Sequence, residues 1–197
     1  MRDHYLPFTI GERWLVSPPE ITAAAGNRIR LIMERGAFGS GEHETSRSCL
    51  ELLETFPPSD SLKILDLGSG TGILSIAALL LNPGHAWCVD INASAVQSCQ
   101  RNCRLNAVEE RVTHLCGTLD ELAENGFDLI LANIYGDILL DLAEELVSRA
   151  AAGARILLSG ILWEYNFEIR KTYQRHGCRL IRNRMLEEFS TVLLEKN

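Results

Sequence analysis

Asp66-Leu67-Gly68-Ser69-Gly70-Thr71-Gly72 puts one carboxylate two residues ahead of three glycines on alternate positions, between the apolar run Lys63–Leu67 and the helically spaced Ile73 and Leu74. The arrangement reads as strand, tight turn, helix. Glycines admit positive φ and carry no Cβ, so a ligand can lie against the backbone, and the following helix offers unpaired N–H groups. A dinucleotide fingerprint needs G-x-G-x-x-G after a strand, whereas here the third glycine comes one place early. Asp66 would repel a pyrophosphate and attract an ammonium, directly or through water. The spacing therefore points to S-adenosyl-L-methionine, which has no phosphate and carries an ammonium and a sulfonium; its product is S-adenosyl-L-homocysteine. The alternative is a glycine turn that only packs helix on strand.

Three further strand ends carry polar groups. Asp90 closes a second apolar run, 22 positions after Gly68, close to the spacing at which an acceptor-only carboxylate takes both ribose hydroxyls; the competing role is a helix N-cap. After a third run, Thr118 and Leu119 offer backbone and an apolar side chain to an adenine, or Thr118 caps a short helix with Glu121. Asn133 ends a fourth run, beside the first and facing the transferable group. Its neutral carboxamide can accept a hydrogen bond from an incoming amine while donating to the cofactor, and methyl transfer chiefly needs nitrogen, methyl and sulfur held in line. A plain strand-ending turn residue is the other reading of Asn133.

The elements that must position these groups alternate. Strands at 63–67, 86–90, 112–116, 127–133 and 154–159 are separated by helices at 72–82, 93–105 and 138–150, with a short helix at 119–123. A helix at 163–175 precedes a closing antiparallel pair at 179–185 and 189–194. A doubly wound, mostly parallel seven-stranded α/β sheet follows. Ahead of it, Gly36-Ala37-Phe38-Gly39-Ser40-Gly41-Glu42-His43-Glu44-Thr45-Ser46 is a donor-rich loop before a helix, a suitable cover for a ligand or simply a helix cap. Residues 1–35 hold short strands around Arg13–Val16 and Ile29–Met33, too few for a core of their own, so they form an extension on a 36–197 domain.

Composition narrows the classes. The chain has 197 residues, 46% hydrophobic and 23% charged, with a net charge of -7 and an isoelectric point near 5.3. No run is long enough to span a membrane and no signal pattern opens the chain, so a soluble cytoplasmic protein is expected. The acidic balance argues against direct nucleic-acid binding and suits a basic partner. The six cysteines show no C-x-x-C pair, and Cys99 and Cys103 lack a histidine beside them in sequence. Reduced, buried thiols and no metal are expected.

The Phe38–Ser46 loop, the turn Asp66–Leu74, Ala132-Asn133-Ile134 and Leu158-Ser159-Gly160-Ile161-Leu162 together resemble the PrmA-type methyltransferases, from about Tyr5 to the C-terminus. That family trimethylates lysines and the N-terminal amine of ribosomal protein L11. The resemblance implies a class I methyltransferase fold, with Ser46 where the family's second loop threonine meets the cofactor and Phe38 and His43 lining the same pocket. The expected cofactor-binding set is Phe38, His43, Thr45, Ser46, Asp66, Gly68, Ser69, Gly70, Asp90, Ile91, Thr118, Leu119 and Asn133, with Asn133 also catalytic. Departures are Ser40 and Ser46 for threonine, Tyr135-Gly136 after Asn133, and Phe189 where tryptophan is common. The family's N-terminal recognition domain has no counterpart here, which fits either a domain of a longer protein or a shorter relative acting on another protein; a chain opening on Met1 favours the shorter relative as the expectation.

The expected activity is methyl transfer to a protein amine, on a basic or ribosomal protein. The alternatives are a small-molecule methyltransferase with the same pocket and a binding module without catalysis. A nicotinamide-dependent oxidoreductase is disfavoured by the early third glycine and by Asp66.

Overall fold

The computed structural model describes residues 6–22, 24–34 and 41–197. Phe38 and Ser40 lie outside the described residues.

Strands β1 (Phe8–Ile10), β2 (Trp14–Ser17) and β3 (Ile29–Ile32) form a small sheet in that order. β1 and β2 are an antiparallel hairpin, while β3 runs parallel to β2. This sheet has no core of its own. Ile10, Trp14, Val16, Leu31 and Met33 are fully buried in one cluster with Leu50 and Leu53 of helix α1 (Glu44–Leu53). The Trp14 indole donates to the Leu50 carbonyl at 3.0 Å, and the Glu54 carboxylate accepts the Glu12 and Arg13 N–H groups at 3.0 and 2.9 Å. The hairpin is thereby fixed to both ends of the last turn of α1.

The main sheet is built from β4 (Leu62–Leu67), α2 (Ile73–Leu81), β5 (Gly84–Asp90), α3 (Ala93–Leu105), β6 (Val112–Cys116), β7 (Phe127–Asn133), α4 (Gly136–Asp141), α5 (Ala143–Arg149), β8 (Ala150–Leu162), α6 (Trp163–Arg175), β9 (Cys178–Met185) and β10 (Phe189–Lys196). Strand order is β6-β5-β4-β7-β8-β10-β9. All neighbours through β8 are parallel, and β10 is antiparallel to both β8 and β9. The chain winds outward from β4 to β6, then restarts on the other side at β7. The crevice between β4 and β7 is the switch point at which doubly wound sheets bind ligands. Two apolar clusters cover the two faces.

Differences from the sequence reading are local. The helix expected at 138–150 is two helices, with the backbone turning at Leu142 (φ -92°, ψ 3°) so that both Leu139 and Leu146 are buried. β8 begins at Ala150, and its register against β7 shifts between Phe127 and Leu129, a bulge that contains Gly153 at φ 76°. The short helix after Thr118 is a single 3-10 turn over Leu119–Glu121. Cys49, Cys88, Cys99, Cys103 and Cys178 are buried free thiols, and Cys116 is exposed. Among the described residues no helix is long and apolar enough to cross a membrane.

Candidate functional site

A cavity of about 840 Å³ opens at the carboxyl ends of β4, β5 and β7, within the size range of small-molecule sites. Its floor is the glycine turn. Gly68, Gly70 and Gly72 sit at φ 68°, 55° and 79°. The Gly68 and Ser69 N–H groups donate to the Val89 carbonyl at 2.8 and 3.2 Å, which ties the turn to β5. Neighbours on either side fix the residue type. A Cβ on Gly68 would stand 2.3 Å from Ile134 Cγ2, and one on Gly72 would stand 2.4 Å from Cys99 Sγ.

Asp66 lines the cavity from the C-terminal end of β4 yet is only 2% exposed. Its Oδ2 accepts the Ser75 N–H at 3.2 Å from the first turn of α2. Burial pushes its carboxyl up to about 7, with Ser75 hydrogen bonds opposing the rise and the nearby Cys103 and Asp90 charges adding to it.

Asp90 holds two loops at once. Oδ2 accepts the Gly70 N–H and Oδ1 the Asn92 N–H, each at 2.9 Å. Each oxygen keeps a further acceptor site. The cap of α3 is Asn92, whose Oδ1 accepts from the Ser94 N–H at 2.9 Å, so the capping role considered for Asp90 falls to its neighbour. Ile91 stands on the rim, 78% exposed.

The opposite wall comes from α1. His43 is its N-cap, with Nδ1 2.8 Å from Thr45 Oγ1, and its ring meets Phe189 edge-on at 5.2 Å. Ser46 Oγ accepts from Asn133 Nδ2 at 3.4 Å. That bond orients the carboxamide and leaves Asn133 Oδ1 without a protein partner among the described residues. Behind Asn133, the Ile134 N–H donates to the Ser159 carbonyl at 3.1 Å. A Cβ on Gly160 would lie 2.5 Å from the Ile134 carbonyl oxygen, so β8 can approach this turn only with glycine there. At the head of α1, the Glu44 carboxylate accepts the N–H groups of Glu187, Glu188 and Phe189 at 2.8, 3.1 and 3.2 Å. Burial would raise its carboxyl, but these three bonds hold it below the usual range.

His43, Thr45, Ser46, Asp66, Gly68, Ser69, Gly70, Asp90, Ile91 and Asn133 thus share one cavity wall. Thr118 and Leu119 are not on it. The Thr118 N–H and hydroxyl both go to Glu121, and Leu119 is buried in the second apolar cluster. The cavity also takes Ser98 and Arg101 from α3, Tyr135 and Ile138 around the start of α4, and Phe189 from β10. Ser98 and Arg101 lie on α3, the helix that follows the strand ending in Asp90, so their place near the site could be inferred from the strand–helix order, but nothing in the sequence brings β10 back to β4.

The donor set suits a polar, cationic nucleoside. Ser69 Oγ and Ser98 Oγ are buried on the cavity wall with no hydrogen-bond partner among the described residues, and such orphaned hydroxyls call for a ligand or water. With the spare acceptors of Asp90, the buried Asp66 and the open glycine floor, they fit S-adenosyl-L-methionine.

The sequence matches, over residues 1–197, the family described as "Ribosomal protein L11 methyltransferase (PrmA)". A ribosomal protein L11 methyltransferase of Trichlorobacter lovleyi is 41% identical over 177 residues, covering 86% of this chain and 58% of that protein. One of Geobacter sulfurreducens is 36% identical over 182 residues, covering 91% and 59%. The chain therefore spans under three fifths of the length of these relatives. In structure it is similar to a ribosomal protein L11 methylase of Lactobacillus delbrueckii subsp. bulgaricus, with a TM-score of 0.86 over 99% of this chain and all of that one, at 22% identity. The glycine floor, the Asp90 bridge and the Asn133 strand end thus sit on a class I methyltransferase fold, and the chain belongs to the PrmA family.

Proposed function

We propose that this chain methylates an amine of a protein, acting in the cytoplasm on a basic substrate, with ribosomal protein L11 the first candidate because the relatives' names specify it. The observation that carries the reading is Asn133, held by Ser46 with Oδ1 open, at the end of the strand beside the glycine floor.

When bound, S-adenosyl-L-methionine supplies a methyl group made electrophilic by its sulfonium. Asp90 and the Gly68–Gly70 backbone would hold its nucleoside, and Asp66 its ammonium. Asn133 Oδ1 accepts an N–H of the incoming amine and so points the nitrogen lone pair along the line of displacement. A lysine amine has a reference pKa of about 10.4; entering a cavity lined by Ile134, Tyr135, Ile138 and Phe189 strips water from it and favours the neutral, nucleophilic form.

Titration calorimetry with S-adenosyl-L-homocysteine and with NAD tests the cofactor, and binding of NAD alone would overturn the reading. Radiolabelled methyl transfer into purified L11 and into a cell extract tests the acceptor; label confined to small molecules would assign the pocket to a different substrate class. Asn133→Ala should lower kcat by about tenfold or more while changing affinity for S-adenosyl-L-homocysteine about twofold at most. Wild-type turnover in that variant would remove Asn133 from the chemistry.

A further inference from the structure

We propose that the exposed aromatic rim beside the cavity, formed by Tyr135, Trp163 and Phe167, is a docking site for the substrate segment next to the target amine, and that this segment is basic. The inference rests on the methyl-transfer reading of the cavity and extends it to substrate choice.

Tyr135, Trp163 and Phe167 are 71%, 52% and 63% exposed. Isolated exposed apolar side chains are ordinary, whereas a contiguous patch marks an interaction surface, and aromatic residues dominate such anchors. These three are contiguous with the cavity. Tyr135 lines it directly, at the end of β7. The Trp163 indole donates to the carbonyl of Phe189 at 2.9 Å, and Phe189 is itself a cavity wall. Phe167 follows Trp163 by four residues on α6, so it occupies the same helix face one turn farther out. The patch therefore runs from the reacting end outward.

The patch is also held in place. Glu44 fixes the β9–β10 turn through three backbone hydrogen bonds, and Gly136 packs so closely on Tyr165 that a Cβ there would be 3.0 Å from it. Large side chains displayed on a fixed backbone lose little entropy on binding.

Charge selects the occupant. Asp137, Glu164, Glu187 and Glu188 are all exposed along this edge, with carboxylates on α4, α6 and the β9–β10 turn. At the far end Arg170 and Lys171 lie over the Phe167 ring at 5.9 and 5.8 Å, with Glu168 exposed beside it, while the cavity-lining Arg101 is paired with Glu34 at 2.8 Å. An extended segment running from Phe167 toward Tyr135 thus meets both signs of charge first and chiefly carboxylates near the cavity, so basic residues are favoured next to the target amine.

The test uses two labelled peptides, each with a central lysine flanked by apolar residues. One has arginines next to the lysine and the other has glutamates there. Binding to the full chain with S-adenosyl-L-homocysteine present is read by fluorescence anisotropy, and methylation by kcat and KM. The arginine peptide should bind about tenfold or more tightly than the glutamate peptide. Phe167→Ala and Trp163→Ala should each raise KM by roughly tenfold, with kcat and cofactor affinity nearly unchanged. The Phe167 side chain makes no hydrogen bond, so its variant separates docking from any loosening of Phe189. Glu187→Lys with Glu188→Lys should shrink the charge preference, with Asp137 and Glu164 left to supply the rest. Equal binding of the two peptides, or unchanged KM in the Phe167 variant, overturns the docking site while leaving the methyltransferase reading intact. Failure to bind S-adenosyl-L-homocysteine overturns that reading instead, and the anisotropy measurement without cofactor still decides the docking.

Discussion

Asp66 couples the site to pH. In the unfolded chain its carboxyl ionises near the ordinary value of 3.8, but in the folded protein it holds its proton up to about 7. Between those values the folded state binds the extra proton, so the contribution of Asp66 to stability is fully present below about 4 and falls as pH rises through that window. Asp66→Asn should flatten this part of the curve of unfolding midpoint against pH; an unchanged slope would show that Asp66 ionises normally. A ligand ammonium favours the charged form, so affinity for S-adenosyl-L-homocysteine should rise with pH through about 7 in the wild type only. Asp90 acts differently, since its two oxygens already organise Gly70 and Asn92. Asp90→Asn keeps one oxygen and should weaken the same ligand by about 1.5–3 kcal/mol, the range for a hydrogen bond to a charged group, measurable by calorimetry. Both acids were legible in the sequence because each terminates an apolar run at a fixed distance from a glycine turn. The Ser46–Asn133 pairing was not, because 87 positions separate the partners and only the fold sets that separation to hydrogen-bond length.

Between elements, the chief link across the cavity mouth is Glu44, which joins the head of α1 to the β9–β10 turn. Its lowered carboxyl pKa means that this link is complete above the unfolded-state value and weakens as pH falls through the folded one. Glu44→Gln replaces an ionic acceptor with a neutral one. It should speed amide hydrogen exchange at Glu187, Glu188 and Phe189 while leaving β4 and β7 protected; unchanged exchange there would assign the turn's order to β-pairing alone. The strands and long helices were readable from periodicity, since β4 and β7 are mostly apolar with polar residues toward their ends, and α3 alternates buried and exposed faces. The break at Leu142 was not, because it answers the packing of Leu139 and Leu146 and has no local breaker, and Gly153 marks an irregularity without saying that strand β8 continues through it as a bulge.

For the molecule as a whole, the small N-terminal sheet is a part of the main core and not an appendage. Trp14 is fully buried against α1 and bonded to the Leu50 carbonyl. Trp14→Ala should cost about 3–5 kcal/mol, as large-to-small core changes do, and lower the midpoint of one cooperative transition; two separated transitions would make the sheet an independent unit. Two asparagines of α3 reinforce this unity. Asn106 both donates to and accepts from the backbone of Ile32, at 2.7 and 2.9 Å. Asn102 accepts from the Glu34 N–H and donates to the Thr71 carbonyl, at 2.8 and 2.9 Å. A strand too short to support itself was legible in residues 29–33, but its attachment to the glycine turn through a helix 70 positions away was not. The position of β10 has a further consequence, for synthesis. β10 follows β9 in sequence yet lies between β8 and β9, so a chain emerging in order from the ribosome carries two bare strand edges until β10 arrives. That same strand brings Phe189 and completes the contact with Glu44, so a nascent chain would gain the floor of its pocket well before it gains this wall.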